Sequence, residues 1–232
     1  MFNFFNKITF LKKSNAKNDI IINFIITKLT NFLVKNKIKR YKKENITFLK
    51  SKKITHDYFS PHSYNFLRVM KSIEIENLLE IGSFEGNSSM FFARHLPDSK
   101  IYCVDNWIGT EEYNNLNFES LENNFDRNLK EFNNVIKNKC TSDQFFENNN
   151  SNFDLIYIDG YHKAEQVLKD FKNAWKVLNK NGILIFDDFI WKFFEKIEDN
   201  PCYVINSYLK KINKNVKILK VSNSQLFIQK IM

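Results

Sequence analysis

Two apolar runs in the second half of the chain each end in acid. Asp154-Leu-Ile-Tyr-Ile158 runs into Asp159-Gly160, with His162 three residues past Asp159, and Ile183-Leu-Ile-Phe186 runs into Asp187-Asp188. Carboxylates on neighbouring strand ends repel one another unless protons or a cation intervene. A set of oxygen ligands suits Mg²⁺ or Ca²⁺. An imidazole with an intrinsic pKa of ~6.5 can take a proton near neutral pH. Asp159, Asp187 and Asp188 are therefore the candidate metal ligands, and His162 with Asp159 the candidate catalytic pair. The plainer alternative is that Asp187-Asp188 caps a strand and His162 lies on the surface.

A second constellation lies earlier. Asn77-Leu-Leu-Glu80-Ile81 leads into Gly82-Ser83-Phe84-Glu85-Gly86, and a helical segment starts at Ser88. That order reads as strand, glycine turn, helix, with the free N–H groups of the helix aimed into the turn. The spacing is not the G-x-G-x-x-G of a dinucleotide site, and Glu85 would repel a phosphate. Acids such as Glu80 suit a cationic ligand instead. Asp105 ends the next apolar run, Lys100 to Val104, where a carboxylate can accept from both hydroxyls of a ribose. Trp107 could stack on an adenine, or could be a rim or core aromatic.

The elements that must position these residues alternate regularly. Apolar runs at 77–81, 100–104, 135–139, 154–158 and 183–186 read as strands. Stretches 88–95, 120–132 and 164–178 read as helices, with 143–147 a helical turn. Near-continuous apolar strands fit a sheet covered on both faces, and βα alternation makes it parallel. After a helix over 201–211, strands over 216–221 and 225–231 are joined by Ser222-Asn223-Ser224, which forces them antiparallel. In such sheets ligands lie at the carboxyl ends of the strands. Those ends read Glu80, Asp105, Ser142, Asp159 and Asp187-Asp188, so one shared site is expected.

Charge divides the chain. Residues 1–53 hold 14 Lys/Arg against 2 Asp/Glu, while the remainder holds 21 against 24. The main domain is therefore not basic, which argues against a nucleic-acid cleft across it. Within the basic arm, 20–34 reads as an amphipathic helix: Asn23, Thr27, Thr30 and Asn31 share one side, and Ile, Leu and Phe cover the rest. The basic run 35–53 follows. An apolar helix followed by basic residues suits a peripheral contact with anionic lipid through residues 20–53. Docking on the domain or on a second subunit, as a homo-oligomer, with a solvated basic linker, is the alternative. Three cysteines without metal spacing fit a reduced, cytoplasmic protein.

Four segments, taken in order, carry a resemblance. Glu-Ile-Gly-Ser-Phe-Glu-Gly-Asn-Ser (80–88), Cys-Val-Asp-Asn-Trp-Ile-Gly (103–109), Tyr-Ile-Asp-Gly-Tyr-His (157–162) and Gly-Ile-Leu-Ile-Phe-Asp-Asp-Phe (182–189) together resemble the methyltransferase-24-type domain of class I S-adenosylmethionine-dependent methyltransferases. Asp-Tyr-Phe-Ser-Pro-His (57–62) resembles that family's lead-in. Phe84 departs from the wider class, where a third glycine is common. The resemblance implies an α/β, doubly wound, mostly parallel seven-stranded sheet with a C-terminal antiparallel hairpin. It implies a basic extension over 1–54 and a methyltransferase domain over 55–232. It implies S-adenosylmethionine as cofactor, held by Glu80, Gly82, Ser83 and Asp105, with Gly86 and Ser88 in the loop and helix start, and Ser142 near the adenine. Similar metal-dependent O-methyltransferases bind a divalent ion at the fourth and fifth strand ends and place the base three residues after the first acid, which here is His162.

The acceptor implied is a small-molecule or glycan hydroxyl, in a pocket drawn from Tyr58 to His62, Trp107 to Tyr113, Tyr161 and Phe189 to Phe194. Two other functions fit less of the sequence. One is a non-catalytic cofactor-binding scaffold tethered by the basic arm. The other is a nucleic-acid methyltransferase, for which the chain lacks an Asn-Pro-Pro-Tyr-type motif.

Overall fold

The computed structural model describes residues 3–113 and 116–232, the side chain of Tyr113 excepted. The elements are α1 (Phe4–Lys13), α2 (Asn18–Leu33), α3 (Lys35–Leu49), α4 (Ser63–Met70), β1 (Asn77–Ile81), α5 (Asn87–His95), β2 (Lys100–Asp105), α6 (Phe118–Leu129), β3 (Val135–Lys139), α7 (Ser142–Asn148), β4 (Phe153–Ile158), α8 (Ala164–Val177), β5 (Leu178–Phe186), α9 (Pro201–Lys211), β6 (Val216–Val221) and β7 (Leu226–Lys230). The seven strands form one sheet in the order β3-β2-β1-β4-β5-β7-β6. That is the doubly wound sheet with an antiparallel end expected from the strand pattern. No described helix is long and apolar enough to cross a membrane.

The chain folds as two compact units. The first is Leu33–Asp154. Here β1 pairs parallel with β2, from Asn77 opposite Lys100 to Ile81 opposite Val104, and β2 pairs parallel with β3. Leu78, Leu79, Ile101, Cys103 and Val104 are buried, as expected of strands covered on both faces. The basic run does not remain a linker. It forms α3, and Asn45, fully buried, donates from Nδ2 to Ser60 Oγ at 2.8 Å. Arg94 lies 4.2 Å from the Phe48 ring centroid, which anchors the same helix.

The second unit is the chain up to Phe32 together with Leu155–Met232. β5 and β6 both pair antiparallel with β7, with an irregularity between Ile218 and Lys220. α8 buries Ala164, Val167, Phe171 and Ala174 along one stripe. The N-terminal residues, which have no clean period in sequence, form α1. Asn3 caps it by accepting from Asn6 N at 2.8 Å. α1 and α2 meet through stacked Phe4 and Phe24, 5.7 Å apart. The α1 end is tied down where Asn206 Nδ2 donates to Ser14 O at 3.0 Å.

The orientation of α2 differs from the ordinary amphipathic helix. Ile20, Ile21 and Phe24 are buried, and so is Thr27 of the polar side. Asn23 Oδ1 accepts from Val221 N at 2.8 Å. Part of the polar side thus faces the protein, because it completes the open hydrogen bonds of a strand. Ile22, Ile26, Leu29 and Phe32 face solvent.

Candidate active site

The glycine loop of the first unit is held in an unusual backbone. Gly82 and Gly86 lie at φ +89° and +81°, and Phe84 between them lies at φ +48°. A Cβ on Gly86 would stand 2.9 Å from Leu129 Cδ1 and 3.2 Å from Phe125 Cδ2, so both conformation and space require glycine. Phe84 stands in the left-handed region without that freedom. What holds it there is Asp105. Its Oδ2 accepts from Phe84 N at 2.9 Å and its Oδ1 from Trp107 N at 2.8 Å. Trp107, also left-handed at φ +50°, donates from Nε1 to Phe84 O at 2.9 Å. Strain of ~1–3 kcal/mol per residue persists only where surrounding contacts impose it, and such positions gather at functional sites.

Trp107 is therefore a buried clamp. Its ring packs 4.9 Å from Phe125, and Lys137 Nζ lies 4.7 Å from its centroid. Both carboxylate oxygens of Asp105 are engaged by backbone N–H groups of the two loops they join. Burial raises its pKa, and the N–H donors of Trp107 and Phe84 oppose that rise.

Glu80 is fully buried at the end of β1. Ser89 donates to its Oε2. Burial raises its pKa, and the hydroxyls of Ser88 and Ser89 pull it back. Its Oε1 and the Oγ of buried Ser83 make no well-formed hydrogen bond among the described residues, though the Ser83 hydroxyl lies close enough to pull the Glu80 pKa back as well. Unsatisfied buried oxygens beside a glycine cradle are what a polar ligand with N–H or O–H donors would complete. Ser88 sits in the first turn of α5. Ser142 opens α7, whose N-cap Thr141 makes a capping box with Gln144.

Glu85 has a role that the motif did not reveal. It is buried and accepts from Thr55 N at 2.8 Å, Thr55 Oγ1 at 2.8 Å and Asn124 Nδ2 at 2.8 Å. Asn128 adds a bridge, donating to Glu85 O and Lys53 O at 2.9 Å each. The segment just before the lead-in is thus tied to the glycine loop through buried Glu85 and Asn128.

The second unit carries the acid and histidine cluster. Asp159, His162 and Asp188 each present one ligating atom, all within 4.8 Å of one another. His162 is 5% exposed, and its Nε2 lies 3.4 Å from Asp188 Oδ2 and 3.7 Å from Asp159 Oδ1. Trp191 packs edge-on to it at 5.0 Å. Asp188 reaches the cluster because its own backbone turns left-handed, φ +47°.

The structure does not bring Asp187 into this set. The left-handed turn at Asp188 sends the two neighbouring side chains apart. Asp187 turns to Gln225 Nε2 at 2.8 Å and Tyr157 Oη at 2.5 Å, and its Oδ1 accepts from Asp188 N at 2.8 Å. Tyr157 Oη also lies 2.8 Å from Asp159 Oδ2. One phenolic proton cannot serve two carboxylates, so a further proton or a cation is needed. Burial, then the charge of Asp187, pushes Asp159 up to about 8, with His162 opposing the rise. Without a cation, Asp159 is the group that carries the extra proton.

A cavity of about 470 Å³ opens beside Asp188, lined also by Asn6, Lys7, Trp191, Asn223 and Ser224. Lys7 donates to Asn223 O at 2.7 Å. Burial lowers its pKa, nearby Lys28 lowers it further, and Asp188 raises it. The basic arm thus supplies one wall of this cavity, which no motif disclosed. Of the aromatic lining expected from sequence, Trp191 is present.

Residues 79–189 match the methyltransferase-24 family, described as a methyltransferase domain. An uncharacterised protein of Acanthamoeba polyphaga mimivirus is 26% identical over 159 residues, covering 62% of this chain and 68% of that protein. The solved O-methyltransferase of Bacillus cereus in complex with S-adenosylhomocysteine is 16% identical, with a TM-score of 0.55 over 92% of this chain and 100% of that one. MycE methyltransferase of the mycinamycin pathway, in complex with Mg, S-adenosylhomocysteine and mycinamycin VI, is 15% identical, with a TM-score of 0.55 over 84% of this chain and 54% of that one. At these identities the two structures speak to the fold.

Proposed function

We propose, for a chain that carries a methyltransferase domain of the methyltransferase-24 family on a class I methyltransferase fold, the transfer of a methyl group from S-adenosylmethionine to a hydroxyl of a small polar acceptor such as a sugar. The observation that carries this reading is the Asp159–His162–Asp188 cluster, whose Asp188 lines the neighbouring cavity. The glycine cradle and the unsatisfied oxygens of Glu80 and Ser83 fit the cofactor. Gly82, Gly86 and Ser88 shape the loop and helix start around it, Asp105 accepts from its ribose, and Ser142 borders the adenine. The sulfonium and ammonium of the cofactor are cations, which suits acids at these strand ends.

In the proposed reaction His162 takes the proton of the acceptor hydroxyl. The oxygen attacks the cofactor methyl in line, the carbon–sulfur bond breaks, and its electron pair returns to sulfur. The products are a methyl ether, S-adenosylhomocysteine and an imidazolium. Asp188, 3.4 Å from Nε2, stabilises that imidazolium as a carboxylate, with protonated Asp159 beside it at 3.7 Å. Lys7, Asn6 and Asn223 orient the acceptor.

The same two carboxylates would hold Mg²⁺, which prefers oxygen ligands. Bound there, the ion would lower the pKa of an adjacent hydroxyl. A softer ion such as Mn²⁺ or Zn²⁺ would draw in the imidazole of His162 as well. Nε2 has one lone pair, so ligation and proton abstraction exclude each other. Turnover of S-adenosylmethionine against a panel of sugars and other hydroxyl compounds, with Mg²⁺ or with chelator, tests the proposal. Acceptor-dependent S-adenosylhomocysteine that fails in His162→Ala supports it. Full turnover in His162→Ala removes the base assignment.

A further inference from the structure

We propose that the outward face of α1 and α2 docks on an anionic lipid surface. Ile22, Ile26, Leu29 and Phe32 are between 52% and 77% exposed. Their spacing of four, three and three residues puts them on one side of the helix. Phe5 of α1 is 74% exposed as well. Large apolar side chains gathered on one helix face, rather than scattered, mark a contact surface. The face is not open for want of an inner one. α2 is already docked through Ile20, Ile21, Phe24, Thr27 and the Asn23–Val221 hydrogen bond. It is bonded to the protein on one side and apolar on the other.

Charge selects the partner. The same two helices and their link carry Lys12, Lys13, Lys17 and Lys28 against a single acid, Asp19, besides Lys7, which is engaged at Asn223. From Leu33 the chain runs directly into α3, with Lys35, Lys37, Lys39, Arg40, Lys42 and Lys43 against Glu44. A second copy laid on this face would bring like charges together. A nucleic acid would satisfy the lysines but leave the Ile, Leu and Phe side chains wet. Anionic lipid satisfies both, with headgroups for the lysines and acyl chains for the apolar stripe. The 16 residues of α2 span roughly 24 Å at ~1.5 Å per residue, short of a bilayer core, so the helix lies in the interface plane.

Co-sedimentation of the full chain with vesicles tests this without cofactor or acceptor, so its failure is separate from failure of the methyl-transfer reading. Phosphatidylcholine vesicles with about 30 mol% phosphatidylserine should carry the protein down, and phosphatidylcholine alone should carry far less. About 0.5 M NaCl should weaken binding, since the Debye length falls to ~4 Å. The variant Ile26→Glu/Leu29→Glu/Phe32→Glu changes only exposed positions. It should lose affinity for the anionic vesicles by at least about tenfold while keeping the wild-type melting temperature. Wild-type protein left in the supernatant with anionic vesicles overturns the proposal. So does a triple variant that binds as wild type. A dimer in light scattering that the triple variant dissolves would assign the face to self-association and overturn it too.

Discussion

Gly86→Ala isolates the cradle that the cofactor reading depends on. The added methyl must adopt φ near +81°, where an L-residue costs about 1–2 kcal/mol. It also arrives 2.9 Å from Leu129 Cδ1 and 3.2 Å from Phe125 Cδ2, both on buried side chains of α6. Overpacking of that kind costs about 1–3 kcal/mol. The lower entropy of an unfolded alanine returns about 0.4–1 kcal/mol. The net destabilisation is about 2–4 kcal/mol, a drop in melting temperature of roughly 5–15 °C for a chain of this length. Differential scanning calorimetry of Gly86→Ala, Leu129→Ala and the double variant forms a cycle. In the double variant the clash with Leu129 is relieved while that with Phe125 stays, so its loss is smaller than the sum of the singles by about 1–2 kcal/mol. A Gly86→Ala protein within ~0.5 kcal/mol of wild type, or strict additivity with Leu129→Ala, would refute the crowding argument.

His162→Ala is expected to lower kcat by ~10²–10⁴-fold and leave S-adenosylhomocysteine affinity unchanged, read by steady-state kinetics and calorimetry. Lys7→Ala is expected to raise the acceptor KM with little change in kcat, because Lys7 lines the cavity and touches no reacting atom. In chelator, stability should depend on pH through Asp159. Its folded pKa, about 8, is raised above the unfolded ~3.9, so the folded state binds the extra proton. That contribution is full below the unfolded pKa and is lost as pH rises through about 8. Between pH 7 and 9 the loss is about 1 kcal/mol, visible as a falling melting temperature that Asp159→Asn should flatten. An unchanged slope in Asp159→Asn would contradict the assignment.

The alternating strands and their acidic ends are legible in the sequence because apolar runs and turn glycines are local signals. Glu80, Asp105, Asp159 and Asp188 stand out by that logic alone. The sharing of duties between Asp187, Asp188 and His162 is not legible, because it depends on one left-handed residue, Asp188, that no propensity demands. Phe84 and Trp107 are hidden for the same reason: Asp105 imposes their conformation, that of Phe84 from 21 residues away. Glu85 looked like a mere obstacle to phosphate, whereas its partners Thr55 and Asn124 come from distant segments. The direction α2 faces escaped periodicity too. A helical wheel shows two faces but not which one a neighbouring strand, through Val221, will claim.

The central claim is that the cradle around Glu80, Ser83, Gly86 and Asp105 holds S-adenosylmethionine. Calorimetric titration of S-adenosylhomocysteine into the purified chain, with and without Mg²⁺, tests it most directly. Saturable one-to-one binding, weakened by Asp105→Ala with the protein still folded, is the predicted result. Folded protein that takes up no S-adenosylhomocysteine under either condition would contradict it.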